Sequence, residues 1–154
     1  IVTNAVALAE EKKKKGFKLV TDGTDSHLIL ADMSPFGLLG NTMAEGCEAA
    51  GIVLNRNGVP FDPNPPFYPS GIRFGTPAIT SRNMKAAEMK KIALWLKTIA
   101  SELGKTAKNL SYDIEAQRKP AARGEIVSKT KILKTIKAEV LSLCKKYKIP
   151  ERYN

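Results

Sequence analysis

Apolar residues recur at helical spacing in three parts of the chain, and each part predicts an amphipathic helix. The first apolar face consists of Val2, Ala5, Val6 and Ala9. Four consecutive lysines followed by Gly16 supply the cationic last turn and the cap of this helix. The second face consists of Met89, Ile92, Trp95, Leu96, Ile99 and Leu103, after an expected N-cap at Asn83. The third face consists of Ile132, Ile136, Val140, Leu143, Cys144 and Tyr147, in a helix that ends before Pro150.

Shorter apolar runs predict the strands. Residues 17–21 and 27–33 are expected to form an antiparallel hairpin, because the five residues between them are rich in turn formers. Thr42 and Glu45 form a capping-box pattern that predicts a short helix ending at Gly51. A short strand is expected at residues 52–54 and another at residues 72–74.

The order of these elements predicts an α+β fold. It is helix, two strands, helix, strand, loop, strand and two helices. This order favours a two-layer sandwich, with a small antiparallel or mixed sheet and helices packed on one face. Residues 104–124 have poor periodicity and predict a long, mobile connection with one irregular turn, followed by a C-terminal helix within residues 125–149.

A proline-rich loop precedes the strand at residues 72–74. Five prolines lie between residues 59 and 69, and each fixes φ and removes a backbone donor, so this loop is expected to be extended and rigid. Arg73 then alternates with two apolar neighbours on a short strand that ends at Gly75. A planar guanidinium held in this way is suited to a two-pronged bond with a carboxylate or phosphate. The alternative is a solvated strand arginine.

Other polar residues support weaker hypotheses. Asn55 and Asn57 can bind the edge of a heterocyclic ring or stabilise their own loop through an Asx-turn. Asp25, Ser26 and His27 are contiguous, but neighbours on an extended chain point to opposite faces, so we predict no catalytic triad. We expect the His27 ring to satisfy backbone atoms of the turn at residues 22–26; a general-base role is the alternative.

Composition and charge narrow the class of protein. The chain has 154 residues, 43% of them hydrophobic and 26% charged, which fits one soluble globular domain and excludes a disordered or fibrous protein. Cys47 and Cys144 lie on separate predicted helices, so no disulfide or metal site is predicted and a reducing, cytoplasmic setting is expected. No transmembrane span is predicted. The chain starts without methionine or leader, so we expect an internal segment of a longer protein.

The formal charge of +10 is concentrated at one end of the chain. Residues 1–84 carry 8 basic and 8 acidic side chains, whereas residues 85–154 carry 17 basic and 7 acidic ones. Such an excess fits either a free-standing module that binds RNA or another polyanion, or lysine-rich helix faces in solvent. We favour solvated helix faces, because the lysines are not interleaved with aromatic residues.

Several ordered blocks of the sequence resemble serine hydroxymethyltransferase, a family of fold-type-I pyridoxal-phosphate enzymes. The blocks are residues 21–28 (TDGTDSHL), 54–57 (LNRN), 59–60 (VP), 62–63 (DP) and 70–80 (SGIRFGTPAIT). The resemblance covers most of residues 1–103 and implies the C-terminal small domain of such an enzyme. Residues 1–16 are then the end of the interdomain helix, and residues 17–103 are the α+β core.

The resemblance also implies an activity and its site. Family members move a one-carbon unit between serine and glycine, with tetrahydrofolate as the carrier. The position of Arg73 is the one that binds the substrate carboxylate, and Asn57, Pro65, Pro66 and Phe67 are implied to help bind folate. The lysine that forms the Schiff base belongs to a large domain that this chain lacks, so no catalytic residue is assigned here and the chain alone is expected to be inactive.

The implied partners are the large domain, a second subunit of a homodimer, and the small molecules serine and glycine; no membrane or nucleic acid is expected. Ser26 stands where the family usually has asparagine, Pro65 where serine is common, and residues 39–40 where a Thr-Gly pair is usual. A related fold-type-I enzyme that acts on another amino acid is an alternative, since Arg73 recognises only the carboxylate.

Overall fold

The computed structural model describes residues 1–151, which contain six helices and four strands. In chain order they are α1 (Val2–Lys14), β1 (Lys18–Leu19), β2 (Leu28–Asp32), α2 (Gly40–Ala49), β3 (Asn55–Asn57), β4 (Gly71–Gly75), α3 (Pro77–Ser81), α4 (Ala86–Asn109), α5 (Pro120–Lys129) and α6 (Ile132–Lys146). Within this range every helix is too short or too polar to span a lipid bilayer.

The four strands form one antiparallel sheet in the order β1-β2-β4-β3. The predicted hairpin of β1 and β2 is confirmed, and so is the α+β class. On β4, Ile72 is fully buried among apolar residues of the core, whereas Arg73 points to the opposite, exposed face. In the register of the sheet, Arg73 lies between Leu30 of β2 and Asn55 of β3. The sheet therefore keeps one face for the core and one for Arg73.

Two strand boundaries differ from the sequence prediction. The strand expected at residues 52–54 is wrong: β3 follows it at Asn55–Asn57 and pairs as an edge strand with β4. The strand β3 was not predicted because its side chains are polar and the strands were assigned from apolar runs. An edge strand need not be apolar. The first strand is cut short after Leu19, since Thr21 and Asp22 have positive φ angles of 61° and 56° and turn the chain away.

Two helix starts were also predicted wrongly. The helix α2 begins at Gly40, so Thr42 is not its cap but a fully buried residue of the first turn. Gly40 is required there because a side chain would collide with the carbonyl oxygen of Gly71. Asn83 has a φ of 65° and does not cap α4, which begins at Ala86. The Glu88 carboxylate accepts the hydrogen bond of the Lys85 N–H, at 2.8 Å, and so caps this helix.

The C-terminal part is more regular than predicted. The stretch expected to be a connection, residues 104–124, contains the end of α4, a 3₁₀ turn at Ala116–Arg118 and the start of α5. The single helix expected within residues 125–149 is two helices, α5 and α6, separated at Thr130. The apolar period fails here because buried polar residues, Gln117 and Arg123, face the protein interior.

Lys12 is an exception among the four consecutive lysines at the end of α1. Its side chain is fully buried, with Nζ 3.7 Å from the centroid of the Phe17 ring and 4.4 Å from that of Phe74. Burial lowers the pKa of Lys12 from 10.5 to about 7. Lys12 thus lies in the last turn of α1 as predicted, but it is buried, whereas Lys13 and Lys14 are exposed.

Candidate functional site

Arg73 lines a cleft of about 460 Å³ between α2 and the β3 edge of the sheet. The other polar residues that line it are Asn41, Glu45 and Glu48 of α2 and Asn55 and Arg56 of β3. The strand β4 holds Arg73 in place, because it is paired on both sides and anchored by the buried Ile72. The cleft is large enough for a small-molecule ligand.

The guanidinium of Arg73 is available to a ligand. Arg73 is exposed, and within residues 1–151 its side chain forms no ion pair and donates no hydrogen bond. Of the two carboxylates in the cleft, that of Glu45 is paired with Arg123, whose Nε lies 2.6 Å from Glu45 Oε1. Arg56 also lines the cleft, but its register partner on β4 is the buried Ile72, so its side chain leaves β3 on the face opposite to Arg73. Two arginines and two glutamates therefore line the cleft, and among them the exposed guanidinium of Arg73 is the group that suits a carboxylate or phosphate.

Asp62 organises the proline-rich loop from within. Its carboxylate accepts four hydrogen bonds, from the N–H groups of Val59, Asn64 and Ser70 at 3.3, 3.0 and 2.9 Å and from the Ser70 hydroxyl at 2.7 Å. Partial burial raises the pKa of Asp62, but these hydrogen bonds outweigh that cost and hold the pKa below its ordinary value of 3.8. The loop is thus fixed by a side chain as well as by its prolines.

The candidate folate residues lie near the cleft but do not line it. Asn57 is two residues from Asn55 and so shares its face of β3, and its Nδ2 donates to the carbonyl of Gly58 at 3.0 Å. Pro65, Pro66 and Phe67 are exposed, and the Phe67 side chain is 78% exposed. The Phe67 carbonyl accepts a hydrogen bond from Asn41 Nδ2 at 3.2 Å, which joins the loop to α2.

His27 does not have the structural role expected from the sequence. It is exposed, and within the described range its ring makes no hydrogen bond. The turn is instead stabilised by hydroxyl groups: Thr24 Oγ1 accepts from the Ser26 N–H at 3.1 Å and donates to the Leu28 carbonyl at 2.6 Å. The hydroxyl of Ser26 accepts from the Leu28 N–H at 3.2 Å. Small hydroxyl side chains reach the backbone of a tight turn more easily than a ring does.

Cys47 and Cys144 are both free thiols, the first buried and the second half-buried. Burial raises the pKa of Cys47 to about 12, so this thiol stays protonated and unreactive at neutral pH.

Gln117 is a residue that the sequence interpretation missed. It is fully buried, and its Oε1 accepts hydrogen bonds from the Leu39 N–H at 3.1 Å and the Thr42 hydroxyl at 2.8 Å. Its Nε2 donates to the carbonyl of Gly37 at 2.8 Å. Gln117 therefore satisfies backbone and hydroxyl groups at the start of α2 that would otherwise lack partners. The only signal for it in the sequence is a lack of apolar periodicity.

The family model described as serine hydroxymethyltransferase matches residues 1–96, which is well over half of the chain. This chain belongs to the serine hydroxymethyltransferase family. A serine hydroxymethyltransferase of Sorangium cellulosum is 49% identical over 108 residues, which is 70% of this chain and 26% of the relative. One of Acidothermus cellulolyticus is 53% identical over 105 residues, 68% of this chain and 25% of the relative. The chain thus spans about a quarter of the length of these relatives.

The match to the family model, here called the family match, includes the cleft and the proline-rich loop but stops within α4. Gln117, Arg123, α5 and α6 all lie beyond residue 96. The family that the sequence blocks indicated, serine hydroxymethyltransferase, is thus confirmed by the family model and by these relatives.

Proposed function

We propose that this chain is the C-terminal small domain of a pyridoxal-phosphate-dependent enzyme that interconverts serine and glycine with tetrahydrofolate, and that Arg73 binds the carboxylate of the amino acid. The observation that carries this proposal is the exposed guanidinium of Arg73, which has no ion-pair partner within residues 1–151 and lines a cleft of a hydroxymethyltransferase-family chain. The planar guanidinium can form two parallel hydrogen bonds with a carboxylate, and its rigid fork loses little entropy for each hydrogen bond formed.

Arg73 contributes orientation as well as affinity. The strand fixes the backbone of Arg73, and two parallel hydrogen bonds from the planar guanidinium would fix the orientation of a bound carboxylate. Fixing the carboxylate also fixes the adjacent α-carbon, the atom at which bonds are broken, and so part of the entropy cost of the reaction is met during binding. Removal of Arg73 should therefore affect both KM and kcat.

The residues of the cleft do not fit the whole cofactor. Pyridoxal phosphate supplies an electron sink for reactions at an amino-acid α-carbon, and enzymes hold it through a lysine. Within the part of the chain that the structure describes, no lysine lines the cleft. Lys12 cannot hold the cofactor from this cleft, because its side chain is fully buried in the core against two aromatic rings. We propose that the cofactor is bound mainly by the large domain, outside this chain, and that the enzyme acts in the cytoplasm.

The folate site is proposed at Asn57, Pro65, Pro66 and Phe67. An exposed phenyl ring on a loop stiffened by Asp62 offers a surface against which a flat heterocycle can stack with little loss of entropy. The Asn57 amide has both donor and acceptor groups for the edge of that ring. The large domain and a second subunit are the proposed partners, and they would cover exposed apolar side chains such as those of Val53 and Phe61.

Substitution of Arg73 in the full-length enzyme tests the proposal. Arg73→Ala is expected to raise the KM for serine roughly a hundredfold and to lower kcat, since it removes two charge-assisted hydrogen bonds. The cofactor absorbance should stay intact. Arg73→Lys keeps the charge but loses the planar fork, so its KM for serine should lie between those of the wild type and Arg73→Ala.

Arg56→Ala is the matched comparison, because Arg56 lines the same cleft from the neighbouring strand. If Arg73 binds the substrate carboxylate, Arg56→Ala is expected to raise the KM for serine less than Arg73→Ala does. An unchanged KM for serine in Arg73→Ala, or equal effects of the two variants, would refute the assigned role.

A further inference from the structure

Three polar residues beyond the family match contact the elements that form the candidate site. They are Gln117, Arg118 and Arg123, here called the brace. Gln117 and Arg123 are buried, and Arg118 is half-buried. Polar side chains in such positions require partners, and the partners they have are on α2 and on the proline-rich loop.

The contacts of the brace with α2 hold one wall of the cleft. Gln117 accepts hydrogen bonds from Leu39 and Thr42 at the start of the helix. One turn further along, Arg123 Nε donates to Glu45 Oε1 at 2.6 Å, and Glu45 lines the cleft. The helix α2 is thereby joined to the 3₁₀ turn at Ala116–Arg118 through Gln117 and to α5 through Arg123.

Arg118 makes the corresponding contact with the proline-rich loop. Its Nη2 donates to Asn64 Oδ1 at 3.3 Å, and its Nη1 is held by Glu115 at 2.8 Å. Asn64 Nδ2 in turn donates to the Ser70 hydroxyl at 2.9 Å, and this hydroxyl donates to Asp62 at 2.7 Å. A chain of hydrogen bonds thus joins Arg118 to both ends of residues 64–70, the segment that contains Pro65, Pro66 and Phe67.

The contacts of the brace with α2 and those with the proline-rich loop are linked through Arg123. Arg123 Nη1 donates to the carbonyls of Gln117 and Arg118, at 2.9 and 3.0 Å, so one buried guanidinium fixes the backbone that presents the other two side chains. A shift of the brace would therefore move the loop relative to α2.

We propose that Arg118 is a positioning residue for the co-substrate: it holds Asn64, and through it residues 65–67, in the place where they bind folate. This inference rests on the folate site proposed above. Arg118 is not among the residues that line the cleft at Arg73, so its contribution is expected on the folate side of the reaction. It also gives the segment beyond the family match a role in co-substrate binding.

Arg118→Ala in the full-length enzyme, compared with Lys119→Ala, tests this role. Lys119 is the adjacent exposed cation and makes no ion pair within residues 1–151, so it controls for loss of charge. Arg118→Ala is expected to raise the KM for tetrahydrofolate roughly tenfold, with little change in the KM for serine. Amide hydrogen exchange of residues 58–70, measured without folate, should become faster. Lys119→Ala should change neither quantity.

An Asn64→Ala background sharpens the test. If Arg118 acts through Asn64, adding Arg118→Ala to Asn64→Ala should have little further effect on the KM for folate, whereas independent actions would add. With Asn64 intact, Arg118→Gln keeps a donor near Asn64, so its KM for tetrahydrofolate should be lower than that of Arg118→Ala.

Several outcomes would overturn the inference: unchanged loop exchange, faster exchange with an unchanged KM for folate, equal changes in the KM values for serine and folate, or equal effects of Lys119→Ala. The proposed carboxylate site is tested separately, since the Arg73 variants are measured by the KM for serine.

Discussion

At the scale of single residues, Lys12 gives the fold a pH dependence. Its amino group is enclosed in the core, has no hydrogen-bond partner among the described residues and lies against the rings of Phe17 and Phe74. Desolvation disfavours the ammonium form, which accounts for a pKa of about 7 in place of 10.5. The two rings recover part of the lost solvation through their negative faces.

The shift in the pKa of Lys12 determines how stability changes with pH. Between pH 7 and 10.5 the unfolded chain binds more protons than the folded one, so the free energy of unfolding rises with pH across this window. The slope is at most about 1.4 kcal/mol per pH unit. Lys12→Met should remove this slope and raise the free energy of unfolding by roughly 2 to 4 kcal/mol below pH 7, where the lysine is charged.

Urea unfolding at several pH values measures both effects. Lys14→Met is the control, because Lys14 lies on the same helix but is exposed and paired with Glu11. Parallel stability curves for wild type and Lys12→Met would contradict the assignment.

At the scale of elements, the pair of Glu45 and Arg123 joins α2 to α5. The Arg123 side chain is only 8% exposed and also donates to two backbone carbonyls, whereas that of Glu45 is 37% exposed. Loss of the guanidinium would leave these acceptors without partners and open a gap between the helices. Because Glu45 retains contact with water, the cost should lie near the lower end of values for buried pairs.

Arg123→Ala is therefore expected to lower the free energy of unfolding by about 3 kcal/mol. Chemical denaturation measures the change. Lys105→Ala breaks an exposed pair with Glu102 on α4 and should cost about 0.5 kcal/mol or less. Comparable losses in the two variants would show that Arg123 is no more than a surface charge.

At the scale of the whole molecule, the residues beyond the family match complete one core with the matched ones. Ile126, Leu133, Ile136 and Val140 are buried in the same cluster as residues of α1, α2 and the sheet. By contrast, the lysines of α6 lie on exposed faces, which is the arrangement expected of solvated helices. The α5 and α6 helices are thus part of the folding unit that carries the cleft.

The 154-residue chain by itself is expected to fold but not to catalyse. Incubated with pyridoxal phosphate, serine and tetrahydrofolate, it should form no glycine, because the cleft has no lysine and is open to solvent. Addition of the separately expressed large domain should restore activity if the two parts associate. Turnover by the chain alone that is lost in Arg73→Ala would contradict the assignment of the cofactor site to the large domain.

Several features of the fold and site could be predicted from the sequence because they depend on local rules. Apolar periodicity located α1, α4 and α6, turn formers located the β1–β2 hairpin, and prolines identified the loop before β4. Alternation around Arg73 correctly placed it on the exposed face of a strand. Each of these depends on contacts within a few residues or on a fixed φ angle.

The sequence by itself thus determined the class of fold, most of its elements and the position of Arg73 on an exposed strand face. Only the tertiary structure decided which polar groups are buried and what they contact: Lys12 against its two rings, and Gln117 bonded to Leu39 from 78 positions away. It also showed that, among residues 1–151, the Arg73 side chain has no ion-pair partner. Such pairings join distant segments, and they offset the desolvation cost of polar groups that sequence patterns assign to the surface.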